Sequence, residues 1–354
     1  MSRIGVAVVG LGFGRQVHVP AFRADPRAKV VALVARDAAR AREAANELGI
    51  PKALDDWRAA IDDADVQVMS IAAPQPVQAE IALAALGAGK AVFCEKPLSG
   101  DIRQAQRLVD AAARTGLPNL VNFEFTAHPA WLAARERLER GAIGDLTYLD
   151  VTWHVLTYGN RARLRDWRSD PATGGGALNA FATHVFHYLE WFGGPIARLC
   201  ARTGTIAGDD RPGEVLVNLW ADFASGARAA VSLNTAAGPG NVHRLRLYGT
   251  AGALELVNTQ RDYLAGFQLL EAQRTDDTWC PVPVDASSPA GEDGRIRPTA
   301  RLASRLLDWL CGAGPQQPSF ADACRVEHLV DFARRSSARG AWIEVDDQAQ
   351  AAAG

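Results

Sequence analysis

Three stretches of the chain carry residues whose types and spacing suit chemistry. GGGALNAFATHVFH (174–187) puts three glycines before an apolar run and then places His184 and His187 three positions apart. Residues three apart on a helix share a face. Two imidazoles there suit a metal pair, a proton-transferring base or ordinary packing. A catalytic zinc takes three protein ligands and this pair supplies two, so no metal is expected. FCEKPLSG (93–100) sets Lys96 just past the strand-like AVF, at the carboxyl edge where open α/β sheets bind ligands. GLGFG (10–14) follows the strand-like IGVAVVG and opens a helical stretch, the context in which glycines let backbone N–H groups approach a pyrophosphate.

The elements around these stretches define the fold class. Up to about residue 120, apolar runs (IGVAVVG, VVALVAR, VQVMSIAAP, AVFCEKP) alternate with helical patterns (AARAREAANELG, VQAEIALAALGAG, IRQAQRLVDAAARTG). That rhythm predicts an α/β fold with an N-terminal Rossmann unit, a doubly wound parallel sheet whose strands are covered on both faces. After a helix near 129–140 the chain turns β-rich: LTYLDVTWHVL, ARLCARTGTI, EVLVNLWADF, ARAAVSLNTA, HRLRLYG and ALELV, with a hairpin at Ala224, Ser225 and Gly226. These runs predict an α/β domain with a large open, mainly antiparallel sheet that keeps one face for a partner. The boundary is set at 122/123, giving a dinucleotide-binding domain over 1–122 and a substrate-binding and oligomerisation domain over 123–354. SSPAGEDGR (287–295) reads as a mobile loop and the closing QAQAAAG as a loose tail.

Composition narrows the partners. Thirty-eight Lys and Arg nearly cancel 40 Asp and Glu, and no basic block with interleaved aromatics is present, so no nucleic-acid partner is expected. Five cysteines without a CxxC pair argue against a disulfide framework or zinc ribbon and fit a reducing, cytoplasmic setting. With no signal segment and no apolar run approaching about 18 residues, a soluble protein without a membrane partner is expected. Small molecules and other protein chains remain.

Candidate cofactor-binding positions are Gly10, Gly12, Phe13, Gly14 and Arg15 at the first turn, Ala35 and Arg36 after the second strand, Ala73 and Pro74 after the third apolar run, and Glu95 with Lys96. The usual third glycine falls at position 15, where Arg15 stands, and Gly14 comes one place early. NAD-binding chains present a carboxylate near the end of the second strand; Ala35 removes that charge and Arg36 offers a fork for a 2′-phosphate, which favours NADP over NAD. Asp37 is the rival ribose ligand, and its place before AARAREAAN also suits a helix N-cap.

Taken in order, GLGFG, EKP and GGGAL with its histidine, joined by RGAIGDL (140–146), YGTAGALEL (248–256) and SFADACRVEHLVDFARRSSARGAWIEV (319–345), resemble the Gfo/Idh/MocA family of nicotinamide-dependent oxidoreductases over nearly the whole length. The resemblance implies hydride transfer with NAD(P) at one carbon of a sugar, cyclic polyol or related alcohol or ketone. It implies Lys96 at the reacting oxygen, His184 as proton carrier, and a homodimer or homotetramer built through the open sheet. Oxidising an alcohol leaves a growing oxyanion and a proton to remove, which calls for a cation and a base of near-neutral pKa.

The departures are specific. Ala180 and His187 stand where the family usually has aspartates, Gln78 stands where it often has a histidine, and FEFTAH (123–128) lacks an arginine often found there. His187, Glu124 and Tyr158 are candidate substrate contacts, with His128 and Asp166 behind them. Arg161, Arg163, Arg165 and Arg168 suit either an anionic substrate or a wet surface, and Trp131, Trp153, Trp167 and Trp191 either stack on sugar rings or pack. The missing acid at 180 also suits a second class of function, a catalytically silent cofactor-binding sensor or regulator.

Overall fold

Six short strands form a wholly parallel sheet: β1 (Ile4–Val9), β2 (Ala28–Val34), β3 (Lys52–Leu54), β4 (Val68–Ile71), β5 (Ala91–Cys94) and β6 (Asn119–Val121), in the order β3-β2-β1-β4-β5-β6. The computed structural model describes residues 3–166, 169–171, 174–286, 289 and 291–345. Val6, Ala7, Val8, Val68, Met69 and Val92 are fully buried, as strands covered by helices on both faces require. Strand order reverses between β1 and β4, which makes the ends of those two strands the switch point where such sheets bind ligands. Local signals set the covering helices. Asp37 caps Ala38–Leu48 and Gly49, at φ 62°, ends it; Asp101 and Gly116 do the same for Ile102–Thr115.

The chain divides into two units, one of residues 3–127 with 291–327, the other of 128–289 with 328–345. Residues 291–327 thus return to the unit that the chain first leaves after residue 127. Helix Ile296–Asp308 buries Leu302, Ala303, Leu306 and Leu307 in the same core as Val8, Phe22 and Phe93 of the first unit. An apolar stripe announces that a helix has a buried face and says nothing of which core receives it.

Among its described residues the second unit holds nine strands: β7 (Leu146–His154), β8 (Ile196–Gly204), β9 (Leu216–Phe223), β10 (Arg228–Asn234), β11 (Val242–Gly249), β12 (Gly252–Asn258), β13 (Gln268–Gln273), β14 (Cys280–Val282) and β15 (Ile343–Glu344). Their order is β14-β13-β12-β11-β7-β10-β9-β8-β15, antiparallel throughout except for β7 against β10. Helices Pro129–Glu139 and Thr183–Gly193 pack on one face. Leu149, Val151 and Trp153 point to that core, while Tyr148, Asp150 and Thr152 alternate onto the other face. The hairpin between β9 and β10 turns at Gly226, whose φ of 89° favours glycine. Among the described residues no helix is long and apolar enough to cross a membrane.

Candidate active site

At the switch point, the glycines have separable jobs. Gly10 has φ 112°, and a Cβ there would lie 2.3 Å from the Ala72 carbonyl oxygen, so the turn admits no side chain. Gly14 packs its helix onto β1, with Val9 O and Val8 Cγ1 at 3.0 and 3.1 Å from a would-be Cβ. A Cβ at Gly12 would meet nothing within 4 Å; the backbone is open there, as a pyrophosphate approach needs. The helix opens with a π-turn over Gly14–His18, one residue wider than an α-turn, and this accommodates the glycine that comes one place early. First-turn N–H groups of such a helix have no partner within it and suit an anion. These residues fit a dinucleotide.

Not every predicted cofactor residue is left for that role. Arg15 pairs with Glu47, and Phe13 stacks edge-on against His18 with the Arg295 guanidinium 4.9 Å from its ring centre. Ala35 is half-buried and Arg36 exposed at the end of β2. Asp37 Oδ1 accepts from the N–H groups of Ala39 and Arg40, so its carboxylate serves as the helix cap. Ala73 is half-buried and Pro74 is the N-cap of helix Gln75–Gly87.

Past β5, residues 95–100 are held by side chains from four directions. Glu95 turns inward, its Oε1 accepting from His18 Nε2 at 2.9 Å and from Asn122 Nδ2 at 2.7 Å. Since a carboxylate only accepts, Nε2 carries a proton, and Nδ1 lies 2.8 Å from the Ser70 hydroxyl. Asn122 continues the network to Thr299, 3.2 Å away. Gln78 Nε2 donates to the backbone carbonyls of Glu95, Pro97 and Leu98. Glu327 accepts from Ser99 N at 2.7 Å, Ser99 Oγ at 2.8 Å and Gly100 N at 3.2 Å. Glu95, expected to touch cofactor, thus has an inward structural partner set.

Lys96, between these anchors, is half-buried. Burial pulls its pKa below the usual lysine range, and the carboxylates of Glu124 and Glu95 work against that fall while Arg295 adds to it. Glu124 is itself buried, at the start of the short helix Glu124–Ala127. A cation with two carboxylates near it at the carboxyl edge of the sheet is equipped to steady charge on an oxygen. His18, Asn122, Gln78 and Glu327 were not foreseen in these roles. The one visible signal for His18 was an imidazole in the apolar run VHVPAF directly after the glycine turn.

In the second unit the glycine triplet leads into a π-turn, Leu178–Ala182, and then helix Thr183–Gly193. Gly176 has φ 90°, and a Cβ there would strike the Glu214 carboxylate, whose Oε1 takes the Leu178 N–H at 2.9 Å. His184 is 3% exposed and its ring centre lies 6.2 Å from that of Trp153; His187 is half-buried on the same helix. Trp153 in turn stacks on His243 at 4.1 Å with the planes 3° apart, and His243 meets the Tyr188 hydroxyl at 3.2 Å. Burial pushes His243 down to about 3.

Several secondary candidates have structural employment. His128 Nδ1 caps helix Pro129–Glu139 by accepting from Ala130 N. Trp131 and Trp153 are core residues, and Trp191 carries the Arg135 guanidinium over its ring. Arg163 donates to Gly208 O and Arg165 pairs with Asp210, both on the exposed surface of their own unit. Tyr158 is 75% exposed at the start of the short helix Tyr158–Arg161, and Asp166 accepts Ser169 through its backbone carbonyl. Arg168 and Trp167 lie outside the described residues, as do Ser287, Ser288 and Ala290 of the predicted loop and the predicted tail. Among the described residues no cluster of three His, Cys, Asp or Glu side chains is arranged to hold a metal.

A glycine turn at the switch point of a parallel sheet, with a lysine on its carboxyl edge, defines a dinucleotide-binding oxidoreductase. Known proteins agree: residues 4–123 match the family model for the oxidoreductase family with NAD-binding Rossmann fold, and residues 131–255 match the GFO/IDH/MocA C-terminal domain. The chain belongs to the Gfo/Idh/MocA family of oxidoreductases. It is 29% identical to an uncharacterised oxidoreductase of Synechocystis, covering 97% of this chain and 96% of the relative. It is 28% identical to the levoglucosan dehydrogenase of Pseudarthrobacter phenanthrenivorans, covering 98% and 99%. A solved levoglucosan dehydrogenase in complex with NADH and L-sorbose superposes with a TM-score of 0.88 at 27% identity, covering 98% of this chain and all of that one.

Proposed function

We propose that this protein is an NADP-preferring dehydrogenase acting on an uncharged sugar-like or cyclic secondary alcohol, with Lys96 at the reacting oxygen and His184 exchanging the proton. The observation that carries the proposal is the Lys96 loop, anchored at the carboxyl edge of the sheet with Glu95 and Glu124 acting on the ammonium. When bound, the nicotinamide supplies hydride chemistry at the carbon. Lys96 steadies the charge left on oxygen, and His184 takes the hydroxyl proton in oxidation and returns it in reduction. His187, Glu124 and Tyr158 are proposed as substrate contacts.

The substrate class is supported by relatives named levoglucosan dehydrogenase and D-apiose dehydrogenase, and by the engagement of Arg163 and Arg165 within their own unit. The cofactor preference rests on neutral Ala35, exposed Arg36 and the capping role of Asp37; solved levoglucosan dehydrogenases hold NADH, so the preference is a property to test on this chain. Five free cysteines suit a reducing cytoplasm. Cys200, Trp220, Ala230, Asp150, Arg246 and Leu270 lie in one cross-strand row on the open sheet face, where Trp220 is 49% exposed. This face supports association of two or four copies, which Trp220→Glu should weaken in sedimentation.

The test is a spectroscopic assay of levoglucosan, L-sorbose and D-apiose with each cofactor, on wild type, Lys96→Ala and His184→Ala. Loss of turnover by about 10²–10⁴-fold in both variants is expected. Retained turnover in His184→Ala removes the proton role, and equal affinity for NADPH and NADH removes that of Arg36. The alanine at 180, one helical turn before His184, favours one other reading, the silent sensor. Protein that binds NADPH and never consumes it across the panel would favour that reading.

A further inference from the structure

We infer that Gln78 is a positioning residue for Lys96, one amide group that sets the main chain on both sides of the lysine. The inference rests on the role proposed above for Lys96. Gln78 lies one turn into helix Gln75–Gly87 and is 1% exposed. Its Nε2 stands 2.6 Å from the carbonyl oxygen of Glu95, 2.9 Å from that of Pro97 and 3.1 Å from that of Leu98. The first of these carbonyls belongs to the peptide bond that enters Lys96; the other two follow it. One nitrogen therefore ties the residue before the lysine to the two after it.

The chemistry of the amide fixes its orientation. Turning the side chain over would set Oε1 against three carbonyl oxygens, acceptor against acceptors, so the donor end must face the loop. Oε1 is then buried with no hydrogen-bond partner among the described residues. A buried acceptor left unmatched is destabilising, so this glutamine is a poor choice for packing alone. It is a suitable one for gathering three carbonyls that helix and sheet ladders leave unused, because a loop's buried backbone groups must be matched by something.

An amide also has no proton to lose in the working range. The Gln78 share of the hold on the Lys96 loop is therefore independent of pH, unlike the shares of Glu327 and of the His18–Glu95 pair. An imidazole at the same place offers a single neutral donor, or two when charged, and would make the hold titrate.

The test uses the full-length protein with two readouts. The first is kcat and KM on whichever of levoglucosan, L-sorbose and D-apiose is turned over. The second is competitive acetylation of Lys96 by acetic anhydride across pH, read by peptide mass spectrometry, which needs no catalysis. Gln78→Leu is expected to lower kcat about tenfold to a hundredfold with KM nearly constant, the scale of a small misplacement of a catalytic group, and to displace the Lys96 acetylation profile. Gln78→His, read as the ratio of its kcat to that of wild type at each pH so that the His184 titration cancels, is expected to approach wild type at low pH and to add a step to that ratio profile in the imidazole range.

A Gln78→Leu variant with wild-type kcat and a superimposable acetylation profile overturns the inference. Should that variant not fold, a Gln78→His profile without the added step overturns it equally. If Lys96→Ala keeps full turnover, the parent reading fails by itself, and the acetylation profile alone then decides whether the amide sets the lysine.

Discussion

The loop of Lys96 and the helix of His184 are fixed by opposite means. Residues 95–100 are held by polar side chains that arrive from far along the chain: Gln78, His18 and Asn122 on one side, Glu327 on the other. The helix of His184 starts from a glycine turn braced by Glu214 and then rests among rings, with Trp153, His243, Tyr188, Trp131 and Phe267 in mutual contact. A helix satisfies its own backbone and needs only shape around it. A loop does not, and its N–H and C=O groups must be matched one by one. Losing a ring should therefore weaken the fold while leaving chemistry in place, whereas losing a clamp should disturb chemistry out of proportion to stability.

Trp131→Ala gives the largest expected effect on stability. Trp131 is fully buried against Tyr188, Phe192, His243 and Phe267, and truncating it should cost about 3–5 kcal/mol in urea unfolding. The kcat of the fraction that remains folded should change little. A collapse of kcat at full occupancy of the folded state would mean that the aromatic layer does more than support.

Glu327→Leu is the matching cut in the first unit. It removes the acceptor of two backbone N–H groups and one hydroxyl and should cost roughly 2 kcal/mol. Its kcat should nonetheless fall by about tenfold or more, since the chain two residues past Pro97 is released. If stability falls while kcat holds, the clamp on this side positions nothing, and the contrast between the units is reduced to one of composition.

The same contrast governs what could be read in the sequence. β1, β2, β4 and β5 showed because strands covered on both faces are uninterrupted apolar runs, while β3 and β6, three residues each, are too short to form a pattern. The alternation of β7 through β12 marked the open sheet. The stripe of Ile296–Asp308 was visible but its destination, the core of the first unit, was not. Lys96 and His184 stood out by local motif. Their supports did not, because the hydrogen bonds that define Gln78, Asn122 and Glu327 join residues 17 to 228 positions apart. Gln78 drew notice only as a departure from a familiar histidine.

Two buried histidines sharpen the comparison at lower cost to the fold. His18 sits between Ser70 and Glu95, in polar company, whereas His243 lies among rings and is held down to about 3 from 6.5 by burial. His243 is neutral in the folded state and gains a proton on unfolding below its unfolded pKa. Its contribution is thus fully present above about pH 6.5 and is lost as pH falls toward 3. At pH 5 the loss is about 2 kcal/mol, one and a half units at about 1.4 kcal/mol each. His243→Phe should lower stability at pH 7, because the Tyr188 hydroxyl loses its contact with the imidazole, yet flatten the decline between pH 6.5 and 5 relative to wild type. Parallel urea-unfolding curves for the two proteins across that range would contradict the burial argument.

The smallest expected effect decides what the end of β2 does. Asp37 Oδ1 accepts from two N–H groups at the head of helix Ala38–Leu48, so Asp37→Ala should cost about 1 kcal/mol of stability. If capping is its whole work, the ratio of NADPH to NADH affinity should not move, while Arg36→Ala should shift that ratio toward NADH. If instead Asp37→Ala selectively weakens NADH binding, the carboxylate reaches a ribose as well as the helix, and the preference assigned to Arg36 loses its basis. A capping carboxylate has a second oxygen, and only the paired titration of both variants tells whether that oxygen is idle.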